Sequence, residues 1–221
     1  MNTVFKNIVA HTYKPLLVKY LSATRTYNYN GVKLNIPPEV FHPAFFFSTK
    51  LLLRYIKTME LDGKKFLELG CGSGLIAISA AYEGAAVTAT DINPVAVAAL
   101  KTNSIANKVS IDIIQSNLFD AIPQQLFDVI AINPPYYKKQ PVTDKDYAWC
   151  CGEHGEYFSK LFATLAEHMH ASTEVIMVLF DGCDMEMING FAAKNNFILK
   201  LLWRKKNMLE ENFIFKIERL S

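Results

Sequence analysis

The chain has 221 residues, 51% hydrophobic and 20% charged, a balance that suits a globular protein with one large core. Its formal net charge of +2 gives no strong overall field for nucleic acid or membranes. No stretch reaches the uncharged apolar length that crosses a bilayer, so no membrane partner is expected.

The opening "MNTVFKNIVAHTYKPLLVKYLSATR" has no long apolar core and no small-residue cleavage site, so no secretory signal is expected. It reads as an amphipathic helix broken at Pro15. "TYNYNGVKLNI" reads as a β-hairpin turning at Asn30-Gly31. Residues 1–40 are thus expected to form an N-terminal extension ahead of a domain over 41–221. "PPEVFHPAFFFSTKLLLRYIKTM" reads as a loop feeding a helix. Seven strands then alternate with helical patterns: "KKFLEL", "AVTATD", "VSIDIIQ", "FDVIAI", "TEVIMVLF", "FILKLLWR" and "NFIFKIERL". The helices are "GLIAISAAYEG", "PVAVAALKTNSIAN", "GEYFSKLFATLAEHM" and "CDMEMINGFAAKNN". This alternation predicts an α/β fold, a Rossmann-like, mostly parallel, doubly wound sheet. "KKNMLEE" is too short for a covered crossover, so the last strand should be antiparallel, with "WRKKN" as a charged turn.

The four cysteines, Cys71, Cys150, Cys151 and Cys183, lack metal-ligand spacing, so no metal is expected. Cys150 and Cys151 could form a vicinal disulfide, but plain thiols in a reducing cytoplasm are the default.

"LELGCGSG" sits where the first core strand becomes a helix. Gly70, Gly72 and Gly74 allow a sharp turn and close approach of backbone to a ligand. A tight turn without any ligand would use the same residues. The spacing is G-x-G-x-G, not the G-x-G-x-x-G of dinucleotide folds, and Glu68 would repel a pyrophosphate. A cationic ligand suits the turn better. S-adenosylmethionine carries a sulfonium and an ammonium, and its adenosine has no phosphate. Asp91, ending the second core strand, can accept hydrogen bonds from both ribose hydroxyls. Its bland alternative is a helix N-cap ahead of Pro94.

In order along the chain, "LELGCGSG", "TDIN", "SNLF" and "NPPY" resemble the class I methyltransferases that use S-adenosylmethionine. More narrowly they resemble the amino-directed branch: release-factor glutamine, ribosomal RNA guanine and adenine methyltransferases. The resemblance covers roughly residues 35–221, and "GEHGEYFSKLF" is similar to a helix start in the release-factor family. It implies S-adenosylmethionine as cofactor, with Glu68, Gly70, Cys71, Gly72, Gly74, Asp91, Ile92, Asn117 and Leu118 around it. One departure stands out: the family usually has aspartate where this chain has Asn117. An amide oxygen still accepts a bond from the adenine amino group, without charge assistance. An Asx-turn is the other reading of Asn117.

Asn133, Pro134, Pro135 and Tyr136 follow a buried strand. An amide or nucleobase nitrogen is a poor nucleophile because its lone pair is delocalised, and it becomes positive as it attacks a methyl group. Acceptors around its N–H groups are therefore the first need. The Asn133 side-chain oxygen and the Pro134 carbonyl can supply them, an inverted oxyanion hole. The two prolines hold extended backbone, and Tyr136 offers a face for a planar group to stack on. The bland alternative is a Pro-Pro loop whose Tyr136 caps the core.

"EVFHPAFFFST" is similar to the segment that closes over the cofactor, which would bring Phe41, Pro43 and Thr49 to its methionine end; core aromatics and a helix cap explain them equally. A lone histidine such as His42 is more often structural. Lys138, Lys139 and Lys145 could meet phosphates, though a solvated loop is the simpler reading. Cys71 reads as a small turn residue, not a nucleophile. The whole reads as an N-methyltransferase whose partner is an RNA or protein presenting a planar NH₂. A short extension favours RNA, modest charge favours protein, and RNA stands slightly ahead. A noncatalytic S-adenosylmethionine-binding subunit would not need the acceptor pair. An NAD-dependent dehydrogenase is opposed by Glu68 and the glycine spacing.

Overall fold

The computed structural model describes residues 20–207 and 210–220; the helix expected around Pro15 lies outside them. The described chain opens with a hairpin, β1 (Arg25–Tyr29) and β2 (Val32–Ile36). Its turn places Asn30 at φ 49° and Gly31 at φ 87°, the paired left-handed residues that match strand twist. Then follow α1 (Phe47–Ile56), β3 (Lys65–Leu69), α2 (Leu75–Tyr82), β4 (Ala86–Asp91), α3 (Pro94–Ala106), β5 (Asp112–Gln115) and β6 (Phe127–Ile132). The remainder is α4 (Glu156–Thr164), β7 (Met169–Phe180), α5 (Met185–Lys194), β8 (Phe197–Lys206) and β9 (Glu211–Arg219).

The main sheet has seven strands in the order β5-β4-β3-β6-β7-β9-β8. β3 pairs in parallel with both β4 and β6, so the chain reverses its direction of strand addition there. In an open α/β sheet that reversal opens a crevice beyond the strand C-termini. β9 runs antiparallel to both β7 and β8, as the short final connection requires.

Strand alternation divides the core. Phe66, Val87, Ala89, Val129 and Ala131 join one apolar cluster with α1, α2, α3 and the hairpin. Leu67, Leu69, Ile130 and Ile132 join the opposite cluster with α4 and α5. Helix α2 is buried along Leu75–Ala80 because it lies among α1, β2, β3 and β4. That explains a helix with no polar stripe.

The hairpin is attached by hydrogen bonds as well as packing. Asn103 Oδ1 accepts from Asn35 N–H at 2.8 Å, and Asn107 Oδ1 from Lys33 N–H at 2.9 Å. Their Nδ2 groups donate back to the Asn35 and Lys33 carbonyls at 3.2 and 2.6 Å. Two side chains one helical turn apart, one on α3 and one at its C-cap, thus satisfy a strand edge as a neighbouring strand would. Asn103 also donates to the Ser73 carbonyl at 3.0 Å, tying hairpin and glycine turn together.

Several expectations shift. β5 is shorter than "VSIDIIQ", because Lys108 at φ 57° and Val109 N–H bonding Ser104 O at 3.1 Å terminate α3 instead. The helix over "GEYFSKLFATLAEHM" tightens to a 3₁₀ turn at Leu165–His168, and β7 begins at Met169. "WRKKN" is not a turn: Trp203–Lys206 belong to β8 and pair with Ile214, Phe213, Asn212 and Glu211. A shift of register between Leu201 and Trp203 lets this edge strand follow β9 that far.

Candidate active site

The cleft lies beyond the C-terminal ends of β3, β4 and β6. Alternation sends Glu68, Asp91 and Asn133 toward the α1–α2–α3 side, because they continue the series that Phe66, Ala89 and Ala131 occupy. All three line the cleft.

Glu68 is buried, and its Oε2 accepts the Ala77 N–H at 2.8 Å. Burial pushes its carboxyl well above the usual range; the Ala77 bond opposes this, and the Asp91 charge adds to it. Asp91 accepts from Gly72 N–H at 2.8 Å and Asn93 N–H at 2.9 Å. It too is raised by burial, against the pull of those backbone donors. The N-cap of α3 is Asn93, which accepts from Val95 N–H at 2.8 Å, so Asp91 is free of that duty. Burial and the same two carboxylates push the Cys71 thiol well up, which makes it an inert turn residue.

The glycines separate into two roles. Gly70 has φ +74°, and a Cβ there would meet nothing within 4 Å, so it leaves an open cradle. Gly70, Cys71 and Gly72 line the cleft. Gly74, at φ +89°, lies outside the lining; a Cβ there would come within 2.1 Å of Leu100 Cδ1. Its glycine serves the packing of α2 on α3.

Ile92, Asn117 and Leu118 form the far wall. The Asn117 side chain is exposed and makes no hydrogen bond among the described residues. The turn is capped by its neighbour: Ser116 Oγ accepts from Ala121 N–H at 3.0 Å. Leu118 holds φ 57°, a costly conformation for a branched side chain and a mark of a constrained site.

Phe41, Pro43 and Thr49 line the near wall. Phe41 packs against Phe46 with ring centroids 4.4 Å apart, and both meet Trp149, at 5.0 and 4.7 Å. Trp149 belongs to the segment that returns after Asn-Pro-Pro-Tyr. Its carbonyl accepts from both Tyr136 N–H at 3.0 Å and Tyr137 N–H at 2.8 Å. The tyrosine pair is thereby clamped, with the Tyr136 ring 4.5 Å from Phe180. Sequence reading missed Trp149, Phe46 and Tyr157, the last also in the lining. Their only signal is aromatic density in "FFF" and "YAWCCGEHGEY".

Asn133 Nδ2 lies 3.1 Å from Thr49 Oγ1, and in this orientation the amide donates to the hydroxyl while its oxygen is left for the cleft. The Pro134 carbonyl carries no hydrogen bond among the described residues. Two acceptors therefore stand beside an aromatic ring at the cleft floor.

The weaker candidates are placed too. His42 is buried outside the lining, its Nδ1 accepting from Ala44 N–H at 3.3 Å and its ring against Phe45 and Tyr27. Lys138 is paired with Asp184 at 2.7 Å, while Lys139 and Lys145 are exposed. All four cysteines are free thiols. Among the described residues no cluster could hold a metal, and no helix is long and apolar enough to cross a membrane.

The site fits S-adenosylmethionine on its own chemistry. The half-buried Asp91 charge pushes on the buried Glu68 carboxyl, with no basic side chain paired to either among the described residues. A cation in the Gly70 cradle would relieve both, and a pyrophosphate would aggravate them.

Comparison with known proteins agrees. A putative protein N5-glutamine methyltransferase of Methanocaldococcus jannaschii is 42% identical over 107 residues, 48% of this chain and 52% of that protein. A release factor glutamine methyltransferase of Lactococcus lactis is 42% identical over 49% of this chain and 40% of its own length. A ribosomal RNA small subunit methyltransferase C of Chromohalobacter salexigens is 32% identical over 51% of this chain and 34% of its own. The matches thus span about half, or less, of these relatives. Among solved structures, the E. cuniculi Mtq2–Trm112 complex aligns with TM-score 0.63 at 20% identity, over 83% of this chain and 99% of that one. The T. thermophilus 16S rRNA methyltransferase RsmC, in complex with AdoMet and guanosine, aligns with TM-score 0.63 at 16% identity, over 87% of this chain and 50% of that one. Both share the fold. The family described as Methyltransferase small domain matches residues 32–151, a stretch that holds the glycine turn, Asp91 and the whole acceptor loop, and the chain belongs to that family.

Proposed function

We propose that this chain is an S-adenosylmethionine-dependent N-methyltransferase that acts on a planar amino group. The observation that carries this is the acceptor pair at the cleft floor, the Asn133 oxygen and Pro134 carbonyl beside the Tyr136 ring. When bound, S-adenosylmethionine supplies an electrophilic methyl group. Glu68 and Asp91 would hold its charge and ribose, with Asn117 available to its adenine. Asn133 and Pro134 accept the N–H groups of the target and stabilise the positive charge that grows on nitrogen. Tyr136 fixes the plane of the target, and Phe41, backed by Trp149, supplies an apolar wall of the cleft. No residue need act as a strong base, since the proton leaves a nitrogen already made acidic by methylation.

The charge of the cleft favours a protein carboxamide as target. Glu39, Asp144 and Glu156 are exposed acids in its lining, and the one lining cation among the described residues, Lys160, is paired with Asp120. Lys138, a candidate for phosphate contact, is neutralised by Asp184. An RNA backbone would bring phosphates toward those carboxylates, whereas a glutamine side chain brings none. The names of the M. jannaschii and L. lactis relatives point the same way. An RNA base amine is the second reading, supported by the stacking face of Tyr136 and the name of the C. salexigens relative. Free thiols suit a reducing compartment, and a cytoplasmic location belongs to this reading.

The test is transfer of labelled methyl from S-adenosylmethionine into cell extract, followed by RNase or protease. Label released by protease supports the carboxamide, and label released by RNase supports the base amine. Binding of cofactor with no transfer to either pool would reduce the chain to a binding subunit.

A further inference from the structure

Asn133 can serve as an acceptor in only one of its two amide orientations. Flipped, it would present an NH₂ to the N–H groups of the target, donor against donor. What it touches on the other side therefore decides whether the site works. That contact is Thr49, on the first turn of α1, 7% exposed, with its Oγ1 3.1 Å from Asn133 Nδ2.

A hydroxyl both donates and accepts, so this contact alone permits either orientation. The choice falls to the proton of Thr49. No protein acceptor for that O–H exists among the described residues, and Thr49 also lines the cleft. An acceptor-only group in the cleft, such as the carboxylate of an amino-acid ligand, would draw the O–H to itself. Thr49 would then have only lone pairs to offer Asn133. Asn133 would have to donate, and its oxygen would have to face the target.

We infer that Thr49 is a positioning residue that couples occupancy of the cofactor cleft to the amide orientation of Asn133. The coupling rests on the function proposed above. It makes the acceptor at the cleft floor dependable only when cofactor is present. The placement follows from the fold: Asn133 continues the alternation of Val129 and Ala131, which face the α1 side. A residue of the opposite parity would face α4 and α5.

The experiment uses the full chain, with S-adenosylhomocysteine as the probe. The side-chain amide pair of Asn133 is identified in a ¹⁵N–¹H spectrum by its loss in Asn133→Asp. In the wild type, the ligand should shift this pair and slow exchange of one proton, as Thr49 becomes a committed acceptor. Thr49→Val should still bind the ligand by calorimetry, within roughly tenfold, yet show no such slowing. Its kcat should fall on the order of tenfold, the scale of one net hydrogen bond. Thr49→Ser, which keeps the hydroxyl and drops the methyl, should restore both readouts. A wild-type Asn133 pair indifferent to bound ligand would overturn the coupling, even if Thr49→Val failed to fold. So would a Thr49→Val protein with unchanged kcat, or a Thr49→Ser protein as impaired as Thr49→Val. A chain that shows the ligand-dependent slowing but transfers no methyl group would keep the coupling and discard the proposed activity.

Discussion

Replacing Asp91 by Ala perturbs a carboxylate shared between fold and ligand. One oxygen accepts from Gly72 and the other from Asn93, at 2.8 and 2.9 Å. A carboxylate has about four acceptor positions, so about two remain for a ribose diol. Alanine removes all of them. On the folding side, two bonds to a charged acceptor are lost, but so is the cost of burying a carboxylate that burial already raises. The net loss should be about 1–3 kcal/mol, or a fall in Tm of about 3–10 °C for a chain of this size. On the binding side, loss of charge-assisted bonds to the ribose should cost about 1.5–3 kcal/mol, roughly 10- to 150-fold in Kd. Asp91→Asn makes a sharper variant, because its NH₂ must confront either the Gly72 or the Asn93 N–H. The assays are titration calorimetry with S-adenosylmethionine and scanning calorimetry with and without it. Cofactor should raise the wild-type Tm and raise that of Asp91→Ala much less. A folded Asp91→Ala protein with wild-type affinity would refute the ribose assignment, and an unchanged Tm would refute the turn-holding role.

Asn133→Ala should lower kcat on the order of 10²–10³ with little change in cofactor affinity, and methylation at the wild-type rate would remove the amino-directed mechanism. Gly74→Ala should destabilise by about 2–4 kcal/mol, from left-handed backbone plus the clash with Leu100. Gly70→Ala should cost only about 1–2 kcal/mol of stability while it blocks cofactor, so equal effects in denaturant titrations would contradict this division. Glu68 has its folded pKa raised well above 4.5, so the folded chain holds the extra proton and ligand-free stability falls as pH rises through that window. Glu68→Gln should therefore raise the Tm of ligand-free protein at neutral pH, lose that gain in acid below the ordinary carboxylate range, and weaken cofactor binding; a gain independent of pH would be the wrong outcome. Asn117→Asp should preserve or tighten cofactor binding, because the exposed amide has no partner among the described residues to lose and a charged acceptor is stronger. A large loss of affinity by calorimetry would mean that Asn117 donates.

Much of the site was legible because its chemistry is written in short segments. A strand that ends in glycines, an acid at the end of the next strand and Asn-Pro-Pro-Tyr after another each carry local backbone demands. Once the strands are parallel and adjacent, their C-terminal ends converge without further information. Alternation even fixed the side on which Glu68, Asp91 and Asn133 stand. Local duties that the bland readings gave to site candidates fall to other residues: Asn93 forms the N-cap of α3, Ser116 caps the turn at Asn117, and Gly74 abuts Leu100.

What the sequence by itself determined, then, was the order of strands and helices, the hairpin turn at Asn30-Gly31, and the residues at the cleft floor. These follow from periods of 2 and 3.6 residues and from backbone preferences that act within a few positions. Only the tertiary structure decided which side chains meet across the chain. Asn107 bonds Lys33 across 74 residues and Asn103 bonds Asn35 across 68. Trp149 closes on Phe41 and Phe46, Lys138 is neutralised by Asp184, and Thr49 reaches Asn133. Such contacts leave no periodic trace, because asparagine, tryptophan or threonine at a given position suits many local structures. Their partners are chosen by the packing of α1 and α3 against the sheet and by the need of every buried donor for an acceptor.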